Sequence, residues 1–370
     1  MSSRRFIILT EGYANPLTAK TAVCVLRYCP DEVVALLDST QAGQTSREVF
    51  GVGDVPFVAD LAQAPDARTL LVGIANPGGK IPPAWRRLLL QAIDRGLDIV
   101  SGMHEFLGAD SEFAAAAAAR GVRLIDVRQS PLKRVSAAVP FRPGCLRVHT
   151  VGQDCSVGKM VTSVEITREL KRRGGDAKFA ATGQTGIIVE GDGYPIDCMV
   201  ADFISGAAEQ LVLDNQHHEF VVIEGQGSLV HPFYSGVTLG LLHGCQPQGL
   251  IFCYEAGRTA PLGASHIRLP SLAKIMQLTE LAASVYHPCR MIGISMNSRR
   301  LSAAEAEAER DRVGTEFGLP VCDVFRHGPG ELADAVLRLK QDLEREARAT
   351  DAARNDPAPN RREKPGAPCP

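Results

Sequence analysis

An α/β protein of two parallel-sheet domains is what this sequence predicts, and three observations predict it. Short apolar, β-branched runs alternate with helix-length segments through most of the chain. A stretch bearing Pro and Arg interrupts that alternation near residue 135. Directly after it, a strand-like run leads into Gly152-Gln153-Asp154-Cys155-Ser156-Val157-Gly158-Lys159, a GxxxxGK loop that opens a helix. Strand, helix, strand at this spacing implies right-handed βαβ units and doubly wound sheets. The expected fold is therefore a Rossmann-like N-terminal domain followed by a P-loop NTPase-like domain with a mostly parallel sheet.

Length agrees: 370 residues make two domains at roughly 100–200 residues each. The first domain is expected over residues 1–128. Its strands are Phe6–Leu9, Val33–Leu37, Leu70–Ile74, Asp98–Ser101 and Val122–Asp126, with helices at Thr18–Arg27, Pro83–Arg95 and Ser111–Arg120. Residues 129–145 read as a linker. The second domain, 146–346, opens with strand Leu146–Val151 and helix Lys159–Arg173. Further strands follow at Lys178–Ala181, Phe220–Glu224, Gly249–Cys253, Met291–Ser295 and Val321–Val324, with helices at Ser271–Ser284, Ala303–Phe317 and Glu331–Glu346. Residues 347–370 mix Pro, Ala and alternating charge without large apolar side chains, and are expected to be disordered.

Composition narrows the function classes. Hydrophobic residues make up 45% and charged residues 22%, an ordinary soluble balance. The net charge of −2 offers no footprint for nucleic acid or an anionic membrane. Ten cysteines include no CxxC pair and no Cys/His cluster at zinc spacing, so no metal site is expected. The N-terminus lacks the apolar run of a signal peptide, and no apolar stretch reaches the roughly 18 residues of a membrane span. A cytoplasmic protein with reduced thiols is expected. So are a small-molecule substrate and a homo-oligomeric state.

The loop carries the chemistry. Its glycines let backbone N–H groups turn inward on an anion, and the helix that follows adds its dipole. Gly152, Cys155, Ser156, Val157, Gly158, Lys159 and Met160 are the candidate cofactor-binding residues, with Lys159 supplying a full charge to phosphate oxygens. Met160 stands where a Ser or Thr would coordinate magnesium. Thr162 lies about 200° further around the helix and does not replace it. The loop thus suits a diphosphate held without a metal. Asp154 beside a phosphate is repulsive unless it turns away or holds a cation or polar substrate. Cys155 is either a low-pKa nucleophile at a helix N-terminus or a small residue in a tight loop.

Ligands gather at the carboxyl ends of parallel strands, and several polar segments fall there: Thr182-Gly183-Gln184-Thr185-Gly186, Glu224-Gly225-Gln226-Gly227-Ser228 with His231-Pro232, Glu255 to Arg258, and Asn297. Glu224 ends an apolar strand, where an acid meets a metal, a water or a substrate amine, or else braces a loop. Gln184 and Gln226 can read an amide, thioester or carboxylate. His231 and His243 are each either a base near neutral pH or a histidine satisfied by hydrogen bonds. Asp202 caps a short helix or contacts substrate. Arg258 matches a substrate carboxylate bidentately. The candidate roles are catalytic for Glu224, His231, Asp154 and Gln226, and substrate-binding for Gln184, Thr185, Asp202 and Arg258. No GxGxxG spacing follows the first strand, so NAD is not expected.

Taken together, the loop Gly152–Met160, Thr182–Gly186, Glu224–Ser228 and His231-Pro232 behind a Rossmann-like domain resemble a bacterial P-loop family first known as a domain of unknown function. Some of its members are D-glutamate N-acetyltransferases, working beside an N-acetyl-D-glutamate racemase in D-glutamate breakdown. The resemblance covers residues 1 to about 345. It implies acetyl transfer from acetyl-CoA, as co-substrate, to the amine of D-glutamate or a related D-amino acid. Glu224 or a histidine would then be the base and Arg258 the carboxylate holder. A shorter pattern, GxDxxxGK with a later Glu-Gly-x-Gly strand end, is similar to dethiobiotin synthetase and its relatives. That alternative implies ATP and magnesium held by Asp154 and Glu224 for carboxylate activation. A non-catalytic nucleotide-binding module is the third reading.

Overall fold

The computed structural model describes residues 4–76 and 78–355. Its first half is built from strands β1 (Phe6–Leu9), β2 (Val33–Leu37), β3 (Phe57–Val58), β4 (Thr69–Val72), β5 (Asp98–Ser101) and β6 (Leu124–Asp126). Helices α1 (Lys20–Tyr28), α2 (Ser46–Phe50), α3 (Arg86–Asp94) and α4 (Ser111–Arg120) connect them. The sheet order is β3-β2-β1-β4-β5-β6 with parallel pairing throughout, the doubly wound order of a Rossmann-like domain. The buried runs Phe6-Ile7-Ile8-Leu9 and Leu70-Leu71-Val72 form its centre, apolar on both faces because helices cover both.

The second half runs β7 (Leu146–Gly152), α5 (Lys159–Arg172), β8 (Ala177–Ala180), α6 (Gln184–Glu190), α7 (Ala201–Asn215), β9 (Phe220–Ile223), α8 (Ser235–Cys245), β10 (Gly249–Glu255), α9 (Leu272–Ala283), β11 (Arg290–Asn297), α10 (Ala303–Phe317), β12 (Val321–Cys322) and α11 (Gly330–Asn355). Its order is β12-β11-β10-β7-β9-β8, again with every pair parallel. The expected two-domain α/β arrangement is therefore the one observed. Strand β7 lies in the middle, and the chain winds to one side through β8 and β9 and to the other through β10 to β12. Loops after β7, β9 and β10 therefore converge at a switch point.

Several elements depart from expectation. Helix α8 carries Gly236, Gly240 and Gly244 and is a poor helix former by propensity. Packing rescues it: a Cβ on Gly244 would lie 2.2 Å from the Ser205 carbonyl of α7, so the two helices approach closely only without one. Helix α11 continues to Asn355, so residues 347–355 are helical rather than disordered. Its first turns are anchored by buried Leu332, Ala333 and Val336, and good helix formers carry the helix on into solvent. The remainder of that segment, 356–370, lies outside the described residues.

Residues 129–145 have no regular element, yet they are strapped to α7. Glu209, fully buried, accepts from Ala137 N at 3.1 Å, Val139 N at 3.0 Å, Ser136 Oγ at 3.2 Å and Arg134 Nη2 at 2.9 Å. The two halves meet along α1, α5 and α6. Tyr28 Oη donates to Glu165 at 2.9 Å, Arg168 donates to the Tyr28 carbonyl at 2.7 Å, and Tyr28 packs with Val164, Phe179 and Ala181. Cysteines are free thiols among the described residues. No helix among them is long and apolar enough to cross a membrane.

Candidate active site at the phosphate loop

The loop leaves the buried end of β7 and returns at Gly158, whose φ of +108° precedes the first turn of α5. Ser156 also takes a left-handed φ of +55°, a strained value for a non-glycine residue that is typical of functional loops. The N–H groups that open α5 have no intrahelical acceptor and are available to an anion. Lys159 Nζ donates to the Asp154 carbonyl at 2.7 Å, across the loop. Burial holds its pKa below the ordinary lysine value. Gly225 packs against the strand behind: a Cβ there would sit 1.7 Å from the Thr150 carbonyl and 2.9 Å from Lys159 Cδ. Gln153 ties the loop to β10, with Glu255 N donating to its Oε1 at 3.3 Å and its Nε2 donating to the Arg258 carbonyl at 3.2 Å. Ser228 Oγ donates to the Gln153 carbonyl at 3.1 Å.

Glu224 lies just past β9, 4% exposed. Its Oε2 accepts from Thr182 N at 2.8 Å and Gly183 N at 3.1 Å. Burial dominates over those bonds and pushes the carboxyl up to about 7, with the Asp197 charge adding to the rise. A carboxyl poised there exchanges protons near neutral pH. Gln226 stands beside it, its Nε2 donating to Thr182 Oγ1 at 3.1 Å. Gln184 is buried on the first turn of α6, and its Oε1 has no protein donor.

Other candidates are committed elsewhere. Asp154 turns toward Arg258 and the segment after β10. Its Oδ2 accepts from Arg258 Nη1 at 2.6 Å and Leu262 N at 2.8 Å, and its Oδ1 accepts from Cys155 N at 2.7 Å. That answers the repulsion problem, with both carboxylate oxygens paired inside the chain. Arg258 is spent on the same pair: it also donates to the Cys155 carbonyl at 2.8 Å and to Glu255. It is 9% exposed and already bound to carboxylates of its own chain, so it is not a free fork for a substrate. His231 accepts from Phe233 N at Nδ1, which leaves Nε2–H to donate to the Leu262 carbonyl at 3.1 Å. Both ring nitrogens are paired within the chain, the reading in which hydrogen bonds satisfy the histidine.

Met160 is partly buried and packs with Tyr28, Val164, Phe179 and Ala181 in the domain interface. Thr185 Oγ1 bonds Thr21 Oγ1 at 2.9 Å across the domains. Asp202 is exposed in the first turn of α7; the N-cap is Val200, and no side chain caps that helix. Burial raises the Cys155 thiol against the pull of Lys159, so a thiolate nucleophile is disfavoured. His243 sits at the end of α8 against Tyr286, its Nε2 without a protein partner.

Asp154, Cys155 and His231 bring potential ligand atoms within 4.8 Å of one another. The Arg258 guanidinium on the same carboxylate opposes a cation there. Sequence reasoning missed Gln153 as the loop's clamp and gave Glu255 no role. Glu255 is fully buried and binds Arg258, Arg299 and Arg300. Its position at a strand end, like that of Glu224, was the available signal.

Comparison with known proteins follows the same outline. Residues 134–333 match the "Domain of unknown function (DUF1611_C) P-loop domain", and residues 39–130 the "DUF1611_N Rossmann-like domain". The chain belongs to the DUF1611 family. A crystal structure of a DUF1611 family protein from Anabaena variabilis superposes with a TM-score of 0.85 at 36% identity, covering 90% of this chain and 99% of that one. Two relatives are named D-glutamate N-acetyltransferase. The one from Tritonibacter scottomollicae is 40% identical over 90% of this chain and 98% of its own length. The other, from a Pseudoalteromonas species, is 39% identical over 71% of this chain and 79% of its own. That kinship makes this DUF1611 protein an acyltransferase.

Proposed function

We propose that the protein moves an acetyl group from acetyl-CoA to the amine of D-glutamate or a related D-amino acid, in cytoplasmic D-amino-acid catabolism. The observation that carries this reading is a carboxyl pushed up to about 7, Glu224, one residue from the glycine that packs on the loop lysine. A phosphate grip and a neutral-range base at one switch point suit a diphosphate-bearing thioester and an amine. The names of the relatives in two bacteria support the same chemistry.

In this reading the loop amides and Lys159 hold the CoA diphosphate without a metal. Glu224 takes a proton from the acceptor ammonium. The freed nitrogen lone pair bonds the thioester carbonyl carbon. Loop N–H groups or the Gln226 amide steady the oxyanion. The C–S bond then breaks, and the CoA thiolate leaves and takes up the second proton, which the nitrogen sheds as it becomes the amide. The magnesium-nucleotide alternative would need Asp154 as a metal ligand, and that carboxylate is bound to Arg258. The test is free-thiol release from acetyl-CoA with a panel of D- and L-amino acids in the absence of magnesium. Release with D-glutamate is expected. Silence with every amine, together with magnesium-dependent phosphate release from ATP, would overturn the reading.

A further inference from the structure

Buried Glu255 ends β10, and three guanidiniums meet on its carboxylate. Arg258 binds it from the segment that follows. Arg299 Nη2 stands 3.1 Å from Oε1 and 3.0 Å from Oε2, and Arg300 Nε stands 2.9 Å from the same Oε1. Arg258 also holds Asp154, so three cations share two carboxylates. The surplus charge lies on the outer pair. The side chains of Arg299 and Arg300 are 40% and 67% exposed, against 9% for Arg258. Among the described residues no other carboxylate pairs with either. Two acids of α10 on the neighbouring groove are occupied: Glu305 accepts from Ser302 N at 2.8 Å, and Glu309 from Arg312 Nε at 2.8 Å and Tyr254 Oη at 3.1 Å. Two guanidiniums that converge on one oxygen repel each other, and an anion bound between their outer edges relieves that repulsion. The planar fork of arginine matches phosphate oxygens.

We propose that Arg299 and Arg300 bind the ribose 3′-phosphate of CoA. The proposal rests on the acyl-transfer reading above and adds how the donor is told from nucleotides that lack this phosphate. The pair follows β11, Glu255 ends β10, and the phosphate loop follows β7, three neighbouring strands in the order β11-β10-β7. Two strand spacings, about 10 Å, therefore separate the pair from the loop along the carboxyl edge of the sheet. One guanidinium spans part of that gap, because Arg258 donates both to the Cys155 carbonyl of the loop at 2.8 Å and to Glu255. In CoA the diphosphate stands between the adenosine end, which bears the 3′-phosphate, and the arm that ends in the thioester. Glu224 lies past β9, on the opposite side of β7. With the diphosphate on the loop and the thioester toward Glu224, the adenosine end runs toward β10 and β11. That side has room for it: an open groove of about 300 Å³ lies there, walled by Ala256, Gly257, Leu301 and Ala308.

The test compares CoA with 3′-dephospho-CoA by calorimetry on the full chain, in wild type, in Arg300→Gln and in the double variant Arg299→Gln/Arg300→Gln. Wild type should bind CoA about tenfold or more tightly than the dephospho form, the worth of a charge-assisted phosphate contact. Arg300→Gln should lose most of that preference and the double variant all of it, while affinity for 3′-dephospho-CoA holds. Arg300 is an exposed partner of Glu255, so Arg300→Gln should melt at the wild-type temperature. A purely structural pair predicts the reverse, a lower melting temperature with the preference intact, and that result overturns the proposal. If transfer proceeds but wild type binds both forms equally, the phosphate site is wrong and the function stands. If wild type transfers acetyl to no amine, the function falls, and a preference for CoA that disappears in the double variant still upholds the site. Equal binding or no binding of the two forms by wild type overturns it.

Discussion

Replacing Glu224 by glutamine should make the protein more stable at alkaline pH while abolishing most of its activity. The reason lies in the burial of that carboxyl. In an unfolded chain it titrates at an ordinary glutamate value of 4.5; in the fold it is pushed up to about 7, chiefly by desolvation. At about 1.4 kcal/mol for each pH unit of displacement, the charged form costs the fold about 3 kcal/mol. Below the unfolded value both states are protonated and nothing is lost. Between the two values the unfolded chain releases its proton and the fold keeps it, so stability falls as pH rises. Above about 7 the full cost is present. Glutamine keeps an oxygen for Thr182 N and Gly183 N but never ionises. Urea denaturation of both proteins at about pH 5 and about pH 8.5 should show wild type losing about 2–3 kcal/mol more than the variant over that interval. In wild type, kcat should rise with pH through an inflection near 7, and the variant should lose both the inflection and about 10²–10⁴-fold in rate. Parallel stability curves for the two proteins would refute the buried-carboxyl argument.

Three further outcomes follow from the same geometry. Lys159→Ala should weaken acetyl-CoA binding by about 2 kcal/mol or more in magnesium-free calorimetry, the loss of a charge-assisted phosphate contact; unchanged affinity would take the loop out of the site. Arg258→Ala should lower stability by about 2–3 kcal/mol, because it strips a cation from the buried carboxylates of Asp154 and Glu255. A raised acceptor KM at unchanged stability would instead restore Arg258 as a substrate fork. Glu209→Ala should cost about 3 kcal/mol and expose residues 129–145 to proteolysis, since it leaves the Ala137 and Val139 amides without their acceptor; an unchanged cleavage pattern would show that the strap is held otherwise.

The architecture was readable from the chain because its signal is local. Leu146–Val151 is a continuous apolar strand, the glycines at 152 and 158 bound a turn, and Lys159 opens a helix, all within a few residues of one another. Glu224 was readable for the same reason: an acid at the end of a buried apolar run stands out. What each polar residue does was decided by partners far along the chain. Asp154 meets Arg258 from 104 residues away, and Thr185 meets Thr21 from 164. Neither pairing leaves a pattern in the intervening sequence, so a catalytic candidate, Asp154, and a carboxylate-binding candidate, Arg258, form one internal ion pair. Met160 was rightly seen as a missing hydroxyl, but the apolar interface that wants a methionine there exists only once α1 docks on α5 and α6. The sequence by itself determined two parallel sheets, a P-loop and an acid at a neighbouring strand end, because backbone propensity and hydrophobic period act over single elements. Only the tertiary structure decided which charges neutralise each other and which buried oxygens remain unpaired, because desolvation and pairing depend on what the whole fold brings within a few ångströms.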